Sequence, residues 1–157
     1  MLVIIWGFVN ILFILGLSYL FRLGIVNDRK RVKKQLSYYK LLLNWNLCDT
    51  ENEKLGAYIL GCGYKEVMIY GAGDLGKILY HKINTSVNIC AFIEKNPKAE
   101  QIEGIQVLSC KDAKLKMSDI DCIIVTPIFD FDSIQQELSN KDSKAAVVSL
   151  DTLIYGL

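Results

Sequence analysis

The chain has 157 residues with 18 Lys+Arg, 17 Asp+Glu and a single His. These counts exclude a basic nucleic-acid binder, an acidic disordered tail and any mechanism that needs two histidines. Hydrophobic residues make up 52% of it and the mean hydropathy is +0.26, above that of an ordinary soluble domain, so some segment is predicted to sit in lipid or in a deep core.

From Leu2 to Phe21 the run LVIIWGFVNILFILGLSYLF carries no charge, and only Asn10 and Ser18 are polar. At about 1.5 Å of rise per residue it spans roughly the 30 Å of a bilayer's hydrocarbon, and Trp6 and Tyr19 suit the two interfaces. A transmembrane helix within an anchor of residues 1–26 is therefore predicted. A cleaved signal peptide fits less well: no Lys or Arg precedes the run and no small-residue triplet closes it. Arg22, Arg29, Lys30, Arg31, Lys33 and Lys34 follow it, which by the positive-inside rule puts the N-terminus outside the cell membrane and the remainder in the cytoplasm. The five cysteines, Cys48, Cys62, Cys90, Cys110 and Cys122, are odd in number and never spaced CxxC, which indicates neither a disulfide framework nor a zinc site and agrees with a reducing compartment. The basic cluster either rests on anionic headgroups or is a solvated positive face.

Residues 27–63 read as a connector. Val32, Leu36, Tyr39, Leu43 and Leu47, widened by Leu42 and Trp45, form a helical stripe, so an amphipathic helix is predicted whose default place is against the following domain. Asp49 and Thr50 then cap a second short helix, in which Leu55, Tyr58, Ile59 and Cys62 share a face and which Gly61 and Gly63 end.

Glu66 to Tyr70 (EVMIY) is a short apolar strand that stops at Gly71-Ala72-Gly73-Asp74-Leu75-Gly76, after which KILYHKI is helical. This is GxGxxG between strand and helix: the first glycine permits the tight turn, the second lets backbone approach a phosphate, and the third lets helix pack on strand. The helix N-terminus adds N–H donors and a positive dipole end for an anion. The next apolar strand, Val87 to Ile93, ends at Glu94, 23 positions beyond Gly71 and near the spacing of about 20 expected of a carboxylate that bonds ribose hydroxyls. Such a carboxylate disfavours the 2′-phosphate of NADP. Glycines at this turn also serve a βαβ unit that merely packs, and Asp74 either caps the helix or repels a phosphate.

Gly104 to Leu108 is predicted as a strand, Cys110 to Met117 as a helix, Asp121 to Thr126 as a buried strand, Asp130 to Leu138 as a helix with Phe131, Ile134 and Leu138 inward, and Ala145 to Leu150 as a last strand before a turn capped by Asp151. Five strands alternating with helices imply an α/β fold with a parallel sheet. Right-handed crossovers favour the order 3-2-1-4-5, which brings the glycine turn and the Thr126 loop to the switch point at the carboxyl edge.

The segments YGAGDLGKILYHKI, AFIEKN, GIQVLS, DCIIVT and VVSLDTL together resemble the small Rossmann-like domains of bacterial surface-polysaccharide biosynthesis that precede polyprenyl-phosphate sugar transferases and related sugar-modifying enzymes. The resemblance covers residues 64–157. It implies a nucleotide, nucleotide-sugar or CoA ligand, with a UDP-sugar or NAD favoured, and carries over Gly71, Gly73, Gly76 and Glu94 as ligand-facing positions. Ala72, Asp74, Leu75 and Thr126 complete the expected site. No transferase or acetyltransferase domain follows the last strand in this sequence.

Catalytic groups are sparse. None of the eight tyrosines has Lys four positions on, which removes the usual Tyr-x-x-x-Lys proton relay. His81 lies inside the helix after the turn, Cys90 and Cys122 sit in apolar strands, Asp130 and Asp132 read as helix-start residues, and no metal cluster is visible. The expected function is a membrane-anchored nucleotide- or nucleotide-sugar-binding accessory module that serves a separate glycan enzyme or self-associates. The alternatives are an NAD(P)-dependent sugar-nucleotide oxidoreductase or epimerase completed by a partner chain, and a structural adaptor with a vestigial site.

Overall fold

The computed structural model describes residues 2–48, 54–139 and 144–157, and among these the side chains of all but residues 2–12, 47 and 48. The chain divides into two compact units, Met1–Tyr39 and Lys40–Leu157.

The first unit is helical and belongs to α1 (Leu2–Cys48). The predicted anchor falls in part on residues 2–12, whose side chains lie outside the described ones, and among the described residues no helix is long and apolar enough to cross a membrane. Phe13, Ile14, Leu15, Leu17, Leu20 and Phe21 are all exposed on this helix. The separate connector helix does not occur. No proline interrupts the run, and one helix continues through the basic cluster to Cys48.

The predicted stripe is also corrected. Val32, Leu36, Tyr39, Leu42 and Leu43 are exposed, Leu47 lies outside the described side chains, and the buried positions are Leu41 and Trp45, one turn apart in the second unit. Apolar residues stand on nearly every side of the segment YYKLLLNWNL, so periodicity alone does not choose between faces. Tertiary cover chooses Leu41 and Trp45, and Lys82 Nζ lies 5.8 Å from the Trp45 ring centroid.

In the second unit α2 (Lys54–Gly61) buries Leu55 and Ile59, with Tyr58 half-buried and Cys62 exposed beyond its end; the predicted Asp49–Thr50 cap lies outside the described residues. The helix ends as the glycine pair predicts. Gly63 has φ +88°, its N–H donates to Leu60 O at 2.9 Å and the Tyr64 N–H to Ile59 O at 3.3 Å, the paired bonds of a Schellman motif.

A mixed α/β sheet of six strands follows: β1 (Glu66–Tyr70), β2 (Asn88–Glu94), β3 (Gln101–Ile102), β4 (Ile105–Ser109), β5 (Cys122–Val125) and β6 (Ala146–Ser149), in the order β3-β4-β2-β1-β5-β6. The connecting helices are α3 (Asp74–Ile83), α4 (Cys110–Lys116) and α5 (Phe131–Leu138), and α6 (Leu150–Tyr155) closes the chain. The five parallel strands run β4-β2-β1-β5-β6, the predicted 3-2-1-4-5. β1 and β5 are interior strands of the sheet, and Val67 to Tyr70 and Cys122 to Val125 are buried throughout, as strands covered on both faces must be.

The sixth strand was not predicted. β3 pairs antiparallel with β4 through a tight turn in which Glu103 (φ +54°) and Gly104 (φ +77°) both have positive φ, the hairpin geometry that matches strand twist. Two residues are too few to show a period. At the amino ends of the interior strands, Asp121 accepts the N–H groups of Lys65 and Glu66 at 2.9 Å each, which pins the start of β1 and holds its carboxyl below the usual aspartate value. The predicted Asp151 cap is corrected as well: Ser149 is the N-cap of α6, while Asp151 lies in its first turn and accepts the Thr152 N–H at 2.9 Å.

Candidate functional site

At the carboxyl end of β1 the chain turns at Gly71, whose φ of +99° places it in the left-handed region. Its N–H donates to Ile93 O at 2.9 Å, and a Cβ there would strike Thr126 Oγ1 and stand 3.1 Å from Pro127 Cδ. Gly76, in the first turn of α3, faces the Gly71 carbonyl so closely that a Cβ would collide with backbone. These two glycines therefore have structural reasons for being glycine, the tight turn and the close approach of helix to strand.

Gly73 differs from both. It is the N-cap of α3 with φ −76° and ψ −169°, extended backbone open to any residue, and nothing lies within 4 Å of where its Cβ would be. Among the described residues beyond its two chain neighbours, none requires a glycine there. The space beside it opens into a cleft of about 280 Å³ lined by Ala72, Gly73, Glu94, Asn96, Lys98, Ala99, Ile102 and Val107.

Glu94, half-buried at the end of β2, accepts the Ala72 N–H on Oε1 at 2.8 Å. The carboxylate predicted to face a ribose is thus joined to the glycine turn across the β1–β2 pair. Asp74 is exposed at the first position of α3 and provides no cap, because Gly73 takes the cap position without a side-chain bond. Leu75 is half-buried. Thr126 is buried, and its hydroxyl donates to Tyr70 O at 2.9 Å. It ties β5 to the end of β1 and packs against Gly71, outside the residues that line the cleft.

Sequence reading missed Asn96, Lys98, Ala99, Ile102 and Val107. The available signal was the stretch Lys95-Asn96-Pro97-Lys98, an amide and two cations immediately after an acidic strand end. Lys98 sets a positive charge in the same cleft as Glu94, and Ile102 and Val107 give it an apolar wall.

The remaining reactive groups stand apart from this cleft. Tyr70 and Cys110 are buried in the core with Sγ 3.8 Å from the phenol oxygen, and burial is the leading cause that pushes both groups up. Burial likewise pushes the Cys122 thiol up to about 12, and burial with the Glu66 carboxylate pushes Cys90 up to about 12. His81 is exposed on α3, its Nε2 3.6 Å from Glu103 Oε1. Among the described residues no group of three or more His, Cys, Asp and Glu side chains converges on a common point.

No curated protein sequence matches the chain. Among solved structures it is similar to UDP-D-quinovosamine 4-dehydrogenase from Vibrio fischeri, with 22% identity and a TM-score of 0.46 over 59% of this chain and 85% of that one. The model of the C2185-like, N-terminal family matches residues 63–147, from the glycine that ends α2 into β6. That match takes in the glycine turn, Glu94, Lys98 and more than half of the chain, which therefore belongs to the C2185-like, N-terminal family.

Proposed function

We propose that the second unit is a Rossmann-like nucleotide-binding module that takes a nucleotide or nucleotide-sugar in the cleft between the glycine turn and the β3–β4 hairpin, without catalytic activity of its own. The observation that carries this reading is the open space at Gly73. Two of the three turn glycines are demanded by the protein itself, whereas a Cβ at Gly73 would meet no atom of the described residues beyond its chain neighbours, and Gly73 borders the cleft. A phosphate placed there meets the N-terminal N–H groups of α3, with Lys98 in the same cleft to neutralise it. Glu94 has Oε1 on Ala72 and keeps its second oxygen for a ribose hydroxyl. About 280 Å³ lies at the lower end of small-molecule pockets, room for one nucleoside rather than both halves of a dinucleotide.

The setting in surface-glycan synthesis, in the service of a separate enzyme, is supported by the resemblance of the segments around the glycine turn and Glu94. Membrane anchoring through a single span, with this unit cytoplasmic, is supported by the uncharged run, the exposed apolar side chains from Phe13 to Phe21 and the basic residues that follow. Calorimetric titration of the full chain in detergent with UDP-sugars, NAD, NADP and CoA tests the ligand. Binding of a UDP-sugar ahead of NAD, weakened by Lys98→Ala, is the expected result. If none of these binds at millimolar concentration, the site is vestigial and the protein is an adaptor.

A further inference from the structure

The first unit carries its charge unevenly. Arg22, Arg29, Lys30, Arg31, Lys33 and Lys34 fall within one short stretch with a single acid, Asp28, whereas the rest of the chain holds 12 cations against 16 acids. From Leu2 to Val26 the only charge is Arg22, so the cluster begins where the apolar run gives out.

Along this stretch of α1 a groove of about 650 Å³ has both chemistries in its lining. Ile25, Val26 and Val32 are its apolar members, 40%, 49% and 60% exposed. Arg29, Lys30 and Lys33 are its cations, all exposed, with Asp28 the one acid beside them. Helical spacing explains the grouping: Arg29 stands one turn beyond Ile25 and Lys30 one turn beyond Val26, and Val32 and Lys33 follow on the same side. Arg31 falls on the other side of the helix and does not line the groove.

That order, apolar and then cationic with distance from the uncharged run, is the order of groups along a phospholipid at the edge of a bilayer. At about 1.5 Å per residue, Arg29 and Lys30 stand roughly 4–6 Å beyond Val26 and Lys33 about 10 Å beyond it, against a headgroup layer of about 5–8 Å on each side of the hydrocarbon. Helical side chains lean toward the N-terminus, so all three cations reach back toward the apolar end. One guanidinium and two ammonium groups outnumber Asp28 and bond phosphate oxygens, while Ile25 and Val26 lie against methylenes. A solvated positive face has no use for three exposed aliphatic side chains among its charges, and a free phosphate ion leaves them uncovered. A zwitterionic headgroup leaves the excess positive charge uncompensated.

We propose that this groove holds an anionic phospholipid, with its phosphate on Arg29, Lys30 and Lys33 and the first methylenes of a chain on Ile25 and Val26. The assignment goes beyond the nucleotide reading of the second unit and rests on the single-span reading of the uncharged run.

Native mass spectrometry of the full chain in neutral detergent, titrated with phosphatidylglycerol or phosphatidylcholine, tests it. Phosphatidylglycerol should bind about tenfold tighter or better. Arg29→Gln, in the groove, should weaken phosphatidylglycerol about fivefold, the worth of one cation near an anionic surface, whereas Arg31→Gln, the same charge change on the other side of the helix, should weaken it less than about twofold. Equal binding of the two lipids, or equal loss in the two variants, would overturn the site and leave a diffuse positive surface. Displacement of the lipid by millimolar glycerol 3-phosphate would overturn it in favour of a free phosphate ligand, and displacement by a single-stranded oligonucleotide in favour of nucleic acid. Alkaline carbonate extraction of the chain from vesicles of both lipids reads the span separately. Release of a chain that still prefers phosphatidylglycerol would remove the span and keep the lipid site, and a retained chain without that preference would keep the span and remove the site.

Discussion

Glu94 Oε1 accepts the backbone N–H of Ala72 at 2.8 Å, so the acidic end of β2 is already bound to the glycine turn before any ligand arrives. Glu94 also lines the cleft, so the residue that holds the turn is one that borders the proposed nucleotide site. Glu94→Ala leaves the Ala72 N–H without its acceptor, and with Ala72 buried this should lower stability by about 1–3 kcal/mol. The same substitution should weaken nucleotide binding roughly ten- to a hundredfold, the worth of about 1.5–3 kcal/mol of charge-assisted bonding to ribose. Glu94→Gln, with a carbonyl for the Ala72 N–H, should restore most of the stability and little of the affinity. Denaturant unfolding and calorimetry on the three proteins read the two effects apart, and equal recovery of both by Gln would refute the division of labour.

The three turn glycines should separate in the same assays. At Gly73 the Cβ is unopposed and φ is negative, so Gly73→Val should cost only the poorer helix cap, about 0.5–1 kcal/mol, while nucleotide binding disappears. Gly76→Ala drives a methyl into the Gly71 carbonyl, backbone that cannot step aside, and should cost about 1–3 kcal/mol or more in stability. A Gly73→Val protein that unfolds as easily as Gly76→Ala would show that the open space is not real.

Truncation tests where the second unit begins. Leu41 and Trp45 are 0% and 3% exposed, so a fragment starting at residue 50 removes two core side chains that a fragment starting at residue 40 retains. Core truncations of Leu and Trp each cost about 2–5 kcal/mol, a large part of a small domain's stability. The 40–157 fragment should unfold cooperatively and the 50–157 fragment should be partly unfolded at room temperature. Identical unfolding midpoints would mean that α1 contributes nothing to the core.

Alkaline pH should act through the buried thiols. Cys122 is fully buried and its thiol is pushed up to about 12 from an ordinary value of 9.0, so the folded state holds a proton that the unfolded state has released. The stability this represents is fully present below pH 9 and is lost as pH rises toward 12, at most about 1.4 kcal/mol per pH unit for the one group. Unfolding free energy measured at pH 8, 9.5 and 11 should fall over that range, and Cys122→Ala should flatten the fall. For the same reason Cys90 and Cys122 should resist alkylation at pH 8 while exposed Cys62 reacts.

The parallel sheet was legible in the sequence because its signals are local. EVMIY, VNICAFI, DCIIVT and the run into VVSL are short apolar segments between turn residues, and right-handed crossovers leave few ways to arrange them. The glycine turn and Glu94 were legible for the same reason, since strand, turn and helix are contiguous and the carboxylate closes the very next strand. Three features depended on the folded chain. The buried face of α1 could not be read from a segment that is apolar on nearly all sides; burial of Leu41 and Trp45 is set by what covers them. Asn96, Lys98 and Ile102 join the cleft only because β3 folds back on β4, a hairpin of two-residue strands that no periodicity can announce. The bond from Ala72 to Glu94 and the emptiness beside Gly73 are distances across neighbouring strands. A sequence records which residues are glycine or acidic, but the space around them exists only once the sheet has brought its carboxyl ends together.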